Sequence, residues 1–197
     1  MIWLPGAFHA PEDFLDAGFD TAVRRRGIPL DLEFAQLELE HVADRRIIGA
    51  LARELVAPAR ARGCAAIWIA GISLGGLFAL DYVASAAGDW DGLCLLAPYL
   101  GNRLLITEIL GAGGVAAWQP GPLAEAEEER RIWRFVRARQ AQPRPIHLGY
   151  GRDDRFAAAH ALLAQALPRD DVHTGPGGHD WQTWLTLWER FLESRFT

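Results

Sequence analysis

The chain has 197 residues, half of them apolar, enough for about one domain with a sizeable core; 20 basic residues against 25 acidic ones leave a formal charge of −5. Every basic residue is arginine and none is lysine, which excludes a P-loop lysine, a Schiff-base lysine, pyridoxal phosphate attachment and a Ser–Lys dyad. The mild acidity and the lack of basic stripes argue against nucleic acid as a partner, because phosphate contacts need clustered positive charge.

In chain order, Ile2 to Leu4 reads as a strand ending at Pro5-Gly6, and Pro11 to Arg26 as a helix closed by Gly27. Leu30 to Leu37 alternates apolar and polar residues, which predicts a strand with one wetter face, near a sheet edge. Val42 to Val56 carries apolar pairs four apart, the stripe of an amphipathic helix. Ala65 to Ala70 is a continuous apolar run between Gly63 and Gly71, as expected of a parallel strand buried on both faces. Leu77 to Ala87 follows as a helix and Gly92 to Ala97 as another buried strand.

Residues 101–144 break the rhythm with scattered glycine and proline, and then Glu125 to Arg139 reads as a solvated helix. Its charges pair Glu127 with Arg131 and Glu128 with Arg131 at helical spacing. Ile146 to Tyr150 is a strand, Phe156 to Ala166 a helix, and Asp171 to Thr174 a short last strand. Trp181, Trp184, Leu185, Trp188, Phe191 and Leu192 recur at helical spacing and predict a final helix whose tryptophans pack it onto the sheet. Strand–helix alternation of this kind implies one α/β domain over 1–197: a three-layer α/β/α sandwich on a mostly parallel, roughly six-stranded sheet.

Gly63 to Leu80 is uncharged over 18 residues, the length of a membrane span, but its central glycines and β-like first half make it a strand, a turn and a helix start. No signal-peptide pattern opens the sequence, so the expected location is the cytoplasm, with no membrane partner. Cys64 and Cys94 are too few for a disulfide framework and read as buried thiols. No HExxH, EF-hand loop or His/Cys cluster is present, so neither metal nor other cofactor is expected.

Gly71-Ile72-Ser73-Leu74-Gly75 follows a buried strand and opens a helix, the context that a nucleophile elbow requires. The turn would lift the Ser73 hydroxyl out of the sheet and aim the Leu74 N–H at a developing oxyanion. The bland alternative is a glycine-rich β–α turn with a capping serine. Serine needs a base, and His179 is the one histidine that is both loop-borne and glycine-flanked, within Gly177-Gly178-His179. His9, His41, His147, His160 and His173 sit in or beside turns, helices and strands. Either Asp153 or Asp154, after the strand Ile146 to Tyr150, could orient the imidazole.

On Gly71-Ile72-Ser73-Leu74-Gly75, Gly151-Arg152-Asp153-Asp154, Gly178-His179 and Leu4-Pro5-Gly6-Ala7-Phe8, the chain resembles the α/β-hydrolase superfamily over essentially its whole length. The resemblance implies a minimal version of that fold, opening on the family's third strand, with spatial order 4-3-5-6-7-8 in family numbering. It implies Asp154 as the acid, because the family's acid commonly stands three residues after a glycine. It makes Ala7 the second oxyanion N–H beside Leu74, although Pro5 stands where the family often has histidine. It places residues 101–144 where such enzymes carry a cap, here either a small lid or a flanking loop and helix. Phe8, Trp118 and Trp133 are then the candidate substrate contacts. The expected activity is a serine hydrolase (carboxylesterase- or thioesterase-like) acting on a small-molecule ester or acyl substrate. Acyl transfer with the same triad, or a non-catalytic binding protein on this fold, are the alternatives.

Overall fold

The computed structural model describes residues 1–36, 47–85, 88–121, 128–139 and 144–196. Strands β1 (Ile2–Leu4), β2 (Glu33–Phe34), β3 (Trp68–Ile72), β4 (Gly92–Leu96), β5 (Ile146–Gly151) and β6 (Val172–Gly175) form one sheet. Its order is β2-β1-β3-β4-β5-β6, and every neighbouring pair is parallel. This is the order that the α/β-hydrolase resemblance implies. The chain steps outward from β1 to β2 and then returns past β1 to β3, so the direction of winding reverses between β1 and β3. In open α/β sheets the crevice beyond the carboxyl ends of two such strands is where ligands bind. Leu4 and Ile72, the last residues of β1 and β3, open onto that crevice.

The helices are α1 (Pro11–Asp16), α2 (Phe19–Arg26), α3 (Ile47–Ala50), α4 (Ala57–Ala61), α5 (Leu74–Ala84), α6 (Arg103–Gly111), α7 (Glu128–Ala138), α8 (Ala157–Gln165) and α9 (Trp181–Phe196). A π-helical stretch, Leu51–Val56, joins α3 to α4 without a break. Side-chain alternation along the strands divides the core in two. Trp3, Ala70, Ile72, Cys94 and Leu96 face α1, α2 and α9. Ile2, Leu4, Ile69, Leu93, Leu95, Ile146 and Leu148 face the helices on the other side. Trp3 centres the first core, with edge-on contacts to Phe19 (5.2 Å) and Trp188 (5.1 Å), while the Trp188 indole N–H donates to the Phe19 carbonyl at 3.0 Å.

Three elements depart from the sequence reading. The single helix expected over Pro11 to Arg26 breaks at Gly18, whose φ of 88° lets the chain turn so that Phe14 and Phe19 both reach Trp3. The strand expected over Leu30 to Leu37 shortens to Glu33–Phe34, pairing only with β1 at the sheet edge; Leu37 lies outside the described residues. The run Ala65 to Ala70 shifts its strand forward to Trp68–Ile72, ending against Ser73. Residues 42–46, 86–87 and 125–127 of the expected helices also lie outside the described residues. The uncharged stretch 63–80 spans β3, the turn and the start of α5, and no helix among the described residues is long and apolar enough to cross a membrane.

Cys94 is buried in the first core, where desolvation holds its thiol well above its ordinary pKa. His147 lies on β5 on the same side, stacked on His173 (4.8 Å) and edge-on to Phe191 (4.7 Å), with no hydrogen-bond partner for either ring nitrogen among the described residues. Burial, with smaller contributions from His173 and Arg195, lowers its pKa from 6.5 to about 3. Between those values the unfolded chain holds a proton that the folded chain refuses. Stability is therefore expected to fall as pH drops from 6.5 toward 3, by up to about 1.4 kcal/mol per pH unit from this one group. Urea unfolding between pH 7.5 and 4.5 should show His147→Leu flattening that slope relative to the native chain; an unchanged slope would place the acid sensitivity elsewhere.

Candidate active site

Ser73 stands at the turn between β3 and α5 with φ 53° and ψ −117°, a conformation that non-glycine residues avoid. Its neighbours explain how the chain reaches it. A Cβ on Gly71 would fall on the Gly75 carbonyl, and one on Gly75 would fall on the carbonyls of Leu4 and Pro5. The missing side chains let β3, α5 and β1 close around the turn. Backbone hydrogen bonds then hold it on all sides. The Ser73 N–H donates to Leu96, and its carbonyl accepts from Gly76, Leu77 and Tyr99. The adjoining Pro98 carbonyl accepts from Nε2 of His160, a fully buried imidazole on α8. Burial lowers the His160 pKa to about 4, so it holds Pro98 as a neutral donor.

His179 reaches the serine from the loop after β6. Its Nε2 lies 2.9 Å from Ser73 Oγ and its Nδ1 lies 2.7 Å from Asp154 Oδ2. An ionised carboxylate only accepts, so Nδ1 carries the proton and donates to Asp154, leaving the Nε2 lone pair to receive the serine O–H. The Asp154 side chain is fully buried and that of His179 is 12% exposed. Burial alone would raise the Asp154 pKa. The hydrogen bonds from His179 and from the Phe156 N–H (2.8 Å) outweigh it and hold the carboxyl below its ordinary value. The anion is therefore present at neutral pH.

Asp153, the other aspartate considered from the sequence, is exposed and makes no hydrogen bond with His179 among the described residues. Its carboxylate instead accepts from the Gly177 N–H (3.2 Å) while its own N–H donates to the Gly177 carbonyl (3.0 Å), tying the acid loop to the histidine loop. The two adjacent carboxylates thus do different work.

Ala7 lies at the turn after β1, following Gly6, where a Cβ would stand 3.3 Å from Ser73 Cβ, and Leu74 begins α5. Among the described residues neither of their N–H groups donates a hydrogen bond. Phe8 follows with φ 64° and a side chain 95% exposed. Trp118 and Trp133, expected as substrate contacts, are placed instead in the core on the opposite side of the sheet from Trp3, 1% and 0% exposed. Their indole N–H groups are spent on Glu108 (2.8 Å) and the Leu100 carbonyl (2.7 Å), so their role here is packing.

Sequence reasoning missed the aromatic frame around His179. The His179 ring is edge-on to Phe156 (5.3 Å) and to Trp184 (5.0 Å), so Trp184 contacts the imidazole as well as packing α9. His9 packs on Trp181 (4.9 Å) and Trp184 (5.8 Å). The one local signal for it was its position two residues beyond Ala7.

No family model and no curated protein matches the sequence. Solved structures do. The arrangement is that of an α/β-hydrolase fold, a six-stranded parallel sheet with helices on both faces. The fluorophosphonate-binding serine hydrolase F (FphF) of Staphylococcus aureus superposes with TM-score 0.66 at 13% identity, over 98% of this chain and 81% of that one. Est1E from Butyrivibrio proteoclasticus gives 0.57 at 19% identity, over 98% and 86%. A protein from Xanthomonas campestris pv. campestris described as a candidate hydrolase of the α/β superfamily gives 0.54 at 19%, over 98% and 96%.

The elbow geometry makes a direct prediction. Gly75→Ala is expected to cost at least about 3 kcal/mol in urea unfolding, because backbone carbonyls cannot move aside for the new Cβ. Gly111→Ala, at a helical position with open space around it, should be neutral or stabilise by up to about 1 kcal/mol. Equal effects at the two positions would refute the close-approach argument.

Proposed function

We propose that this chain is a serine hydrolase that cleaves a carboxylic ester or thioester through an acyl-enzyme on Ser73. The observation that carries the reading is the unbroken run Asp154–His179–Ser73, at 2.7 and 2.9 Å, placed where the sheet reverses its winding. Ser73 Oγ attacks the carbonyl carbon as its proton passes to His179 Nε2, and the carbonyl π pair moves onto oxygen. The undonated N–H groups of Leu74 and Ala7 supply two hydrogen bonds for that oxyanion, the first at the positive end of α5. Collapse of the tetrahedral adduct breaks the bond to the leaving alkoxide or thiolate, which takes the proton from His179. Water, deprotonated by the same imidazole, then attacks the acyl-enzyme and releases Ser73. Asp154 keeps the imidazole in the productive tautomer and offsets the charge of the imidazolium.

Segment 101–144 serves in this reading as a small cap. Helix α6 buries Leu105, Ile106 and Ile109 yet leaves Leu104 83% and Leu110 49% exposed, apolar groups suited to contact with a hydrophobic acyl chain. Phe8 is the matching apolar group on the oxyanion turn. That S. aureus FphF, with the same fold, is a fluorophosphonate-binding serine hydrolase agrees with the assignment.

A fluorophosphonate probe is expected to label Ser73 alone, and labelling should vanish in His179→Ala. Folded native protein that fails to label would sink the proposal. On p-nitrophenyl esters, Asp154→Asn should lower kcat by more than about 100-fold, the scale of triad losses. Asp153→Asn keeps an acceptor for Gly177 and should stay within about fivefold of the native rate. Comparable losses in the two variants would return the acid's identity to an open choice.

A further inference from the structure

His9 has no part in the mechanism above, yet it lies against the same turn. Its N–H donates to the Gly6 carbonyl at 3.2 Å, closing the loop that carries Ala7. The point a Gly6 Cβ would occupy is 2.9 Å from His9 Nδ1 and 3.3 Å from Ser73 Cβ, so the imidazole and the serine flank Gly6 together. Trp184 touches both the His9 ring and the His179 ring, which places His9 on the histidine side of the serine. Nδ1 is shut off from solvent without a hydrogen-bond partner among the described residues; Nε2 is not shut off and has no partner there either.

Two physical arguments assign this group a state. Burial lowers its pKa, Asp13 pulls the other way and His179 adds to the lowering, so the ring is neutral at pH 7. A sealed nitrogen without a partner is better left as a bare acceptor than as an orphaned N–H, which puts the proton on Nε2, the nitrogen that is not sealed. The leaving group of an ester must depart toward His179, since that imidazole returns the proton to it. The contacts of His9 with Trp181 and Trp184, and of Trp184 with His179, put His9 on the side toward which the alcohol departs.

We propose that His9 is a specificity-determining residue for the leaving group. Its Nε2–H donates a hydrogen bond to an oxygen carried on the alcohol portion of the ester, close to the scissile bond. The preferred substrates are then esters of ether- or hydroxyl-bearing alcohols rather than of plain alkyl alcohols. The inference rests on the serine-hydrolase reading above.

The test compares 2-methoxyethyl butyrate with butyl butyrate, which share an acyl group and differ by one oxygen in place of one methylene. Their intrinsic reactivities are common to every variant, so a change in the ratio of kcat/KM values reads the contact. His9→Phe should lower that ratio about tenfold from the native value, the scale of one lost hydrogen bond. His9→Gln, which keeps a donor N–H, should restore part of it. Should His9→Phe fail to fold, His9→Ala carries the same expectation. A ratio that does not move, including the case in which both esters slow together, overturns the contact and leaves His9 a residue that only shapes the turn. Fluorophosphonate labelling of Ser73 in the same preparations separates the two failures. Labelled protein with an unmoved ratio defeats the His9 contact alone, whereas native protein that does not label defeats the serine-hydrolase reading.

Discussion

The strained backbone of Ser73 is the constraint on which the rest of the site depends. A residue held at φ 53° and ψ −117° costs on the order of 1–3 kcal/mol and persists only where its surroundings over-determine it. Here they do. β1 and α5 approach through the space left by Gly75, and the Ser73 carbonyl and N–H are satisfied by four backbone partners from α5 and from the strand and loop beside it. The strain thus draws on packing across β1, β3, β4 and α5. It delivers a hydroxyl clear of the sheet, with an undonated N–H at Leu74 beside it.

The two-sided core lets the polar groups concentrate at one edge. Strands whose alternate residues are buried on opposite faces have no side-chain positions left for chemistry along their length, so functional groups must come from their carboxyl-terminal loops. Ser73 follows β3, Asp154 follows β5 and His179 follows β6, and the parallel arrangement brings those three loops to the same edge. The Asp153–Gly177 hydrogen bonds set the separation of the last two loops. A buried carboxylate is tolerated next to them only because His179 and the Phe156 N–H donate to it.

Features encoded locally were legible in the amino-acid sequence. The pentapeptide around Ser73, the strand–helix rhythm and the glycine-flanked His179 each depend on residues within a few positions, and the strand order followed from the family resemblance. What was not legible depends on partners far along the chain. The environment of His9 is set by Trp181 and Trp184, about 170 positions away, and nothing near residue 9 announces them. Trp118 and Trp133 read as candidate substrate contacts because segment 101–144 stands where the family carries its cap, but Glu108 and Leu100 give their indole N–H groups partners inside the core. Residue type likewise does not distinguish Asp153 from Asp154; their difference is one of burial and partner, Asp154 lying buried against His179 Nδ1 and Asp153 exposed.

In a chain without lysine, proton chemistry near pH 7 falls to histidine, and the described histidines show how environment divides the work. His147 and His160 are buried with no carboxylate donated to, so desolvation keeps them neutral well below pH 6 and they serve as packing and as a fixed donor to Pro98. His179 differs in having a buried anion on one nitrogen and a hydroxyl on the other. Asp154 can stabilise the imidazolium that proton transfer from Ser73 would create, a compensation His147 lacks entirely. In the proposed mechanism, what sets His179 apart as a base is the carboxylate placed behind its ring, which the other described imidazoles lack. His9 falls between these cases: its pKa is lowered like theirs, but only one of its nitrogens is sealed, so it is suited to donating a hydrogen bond and not to carrying a proton.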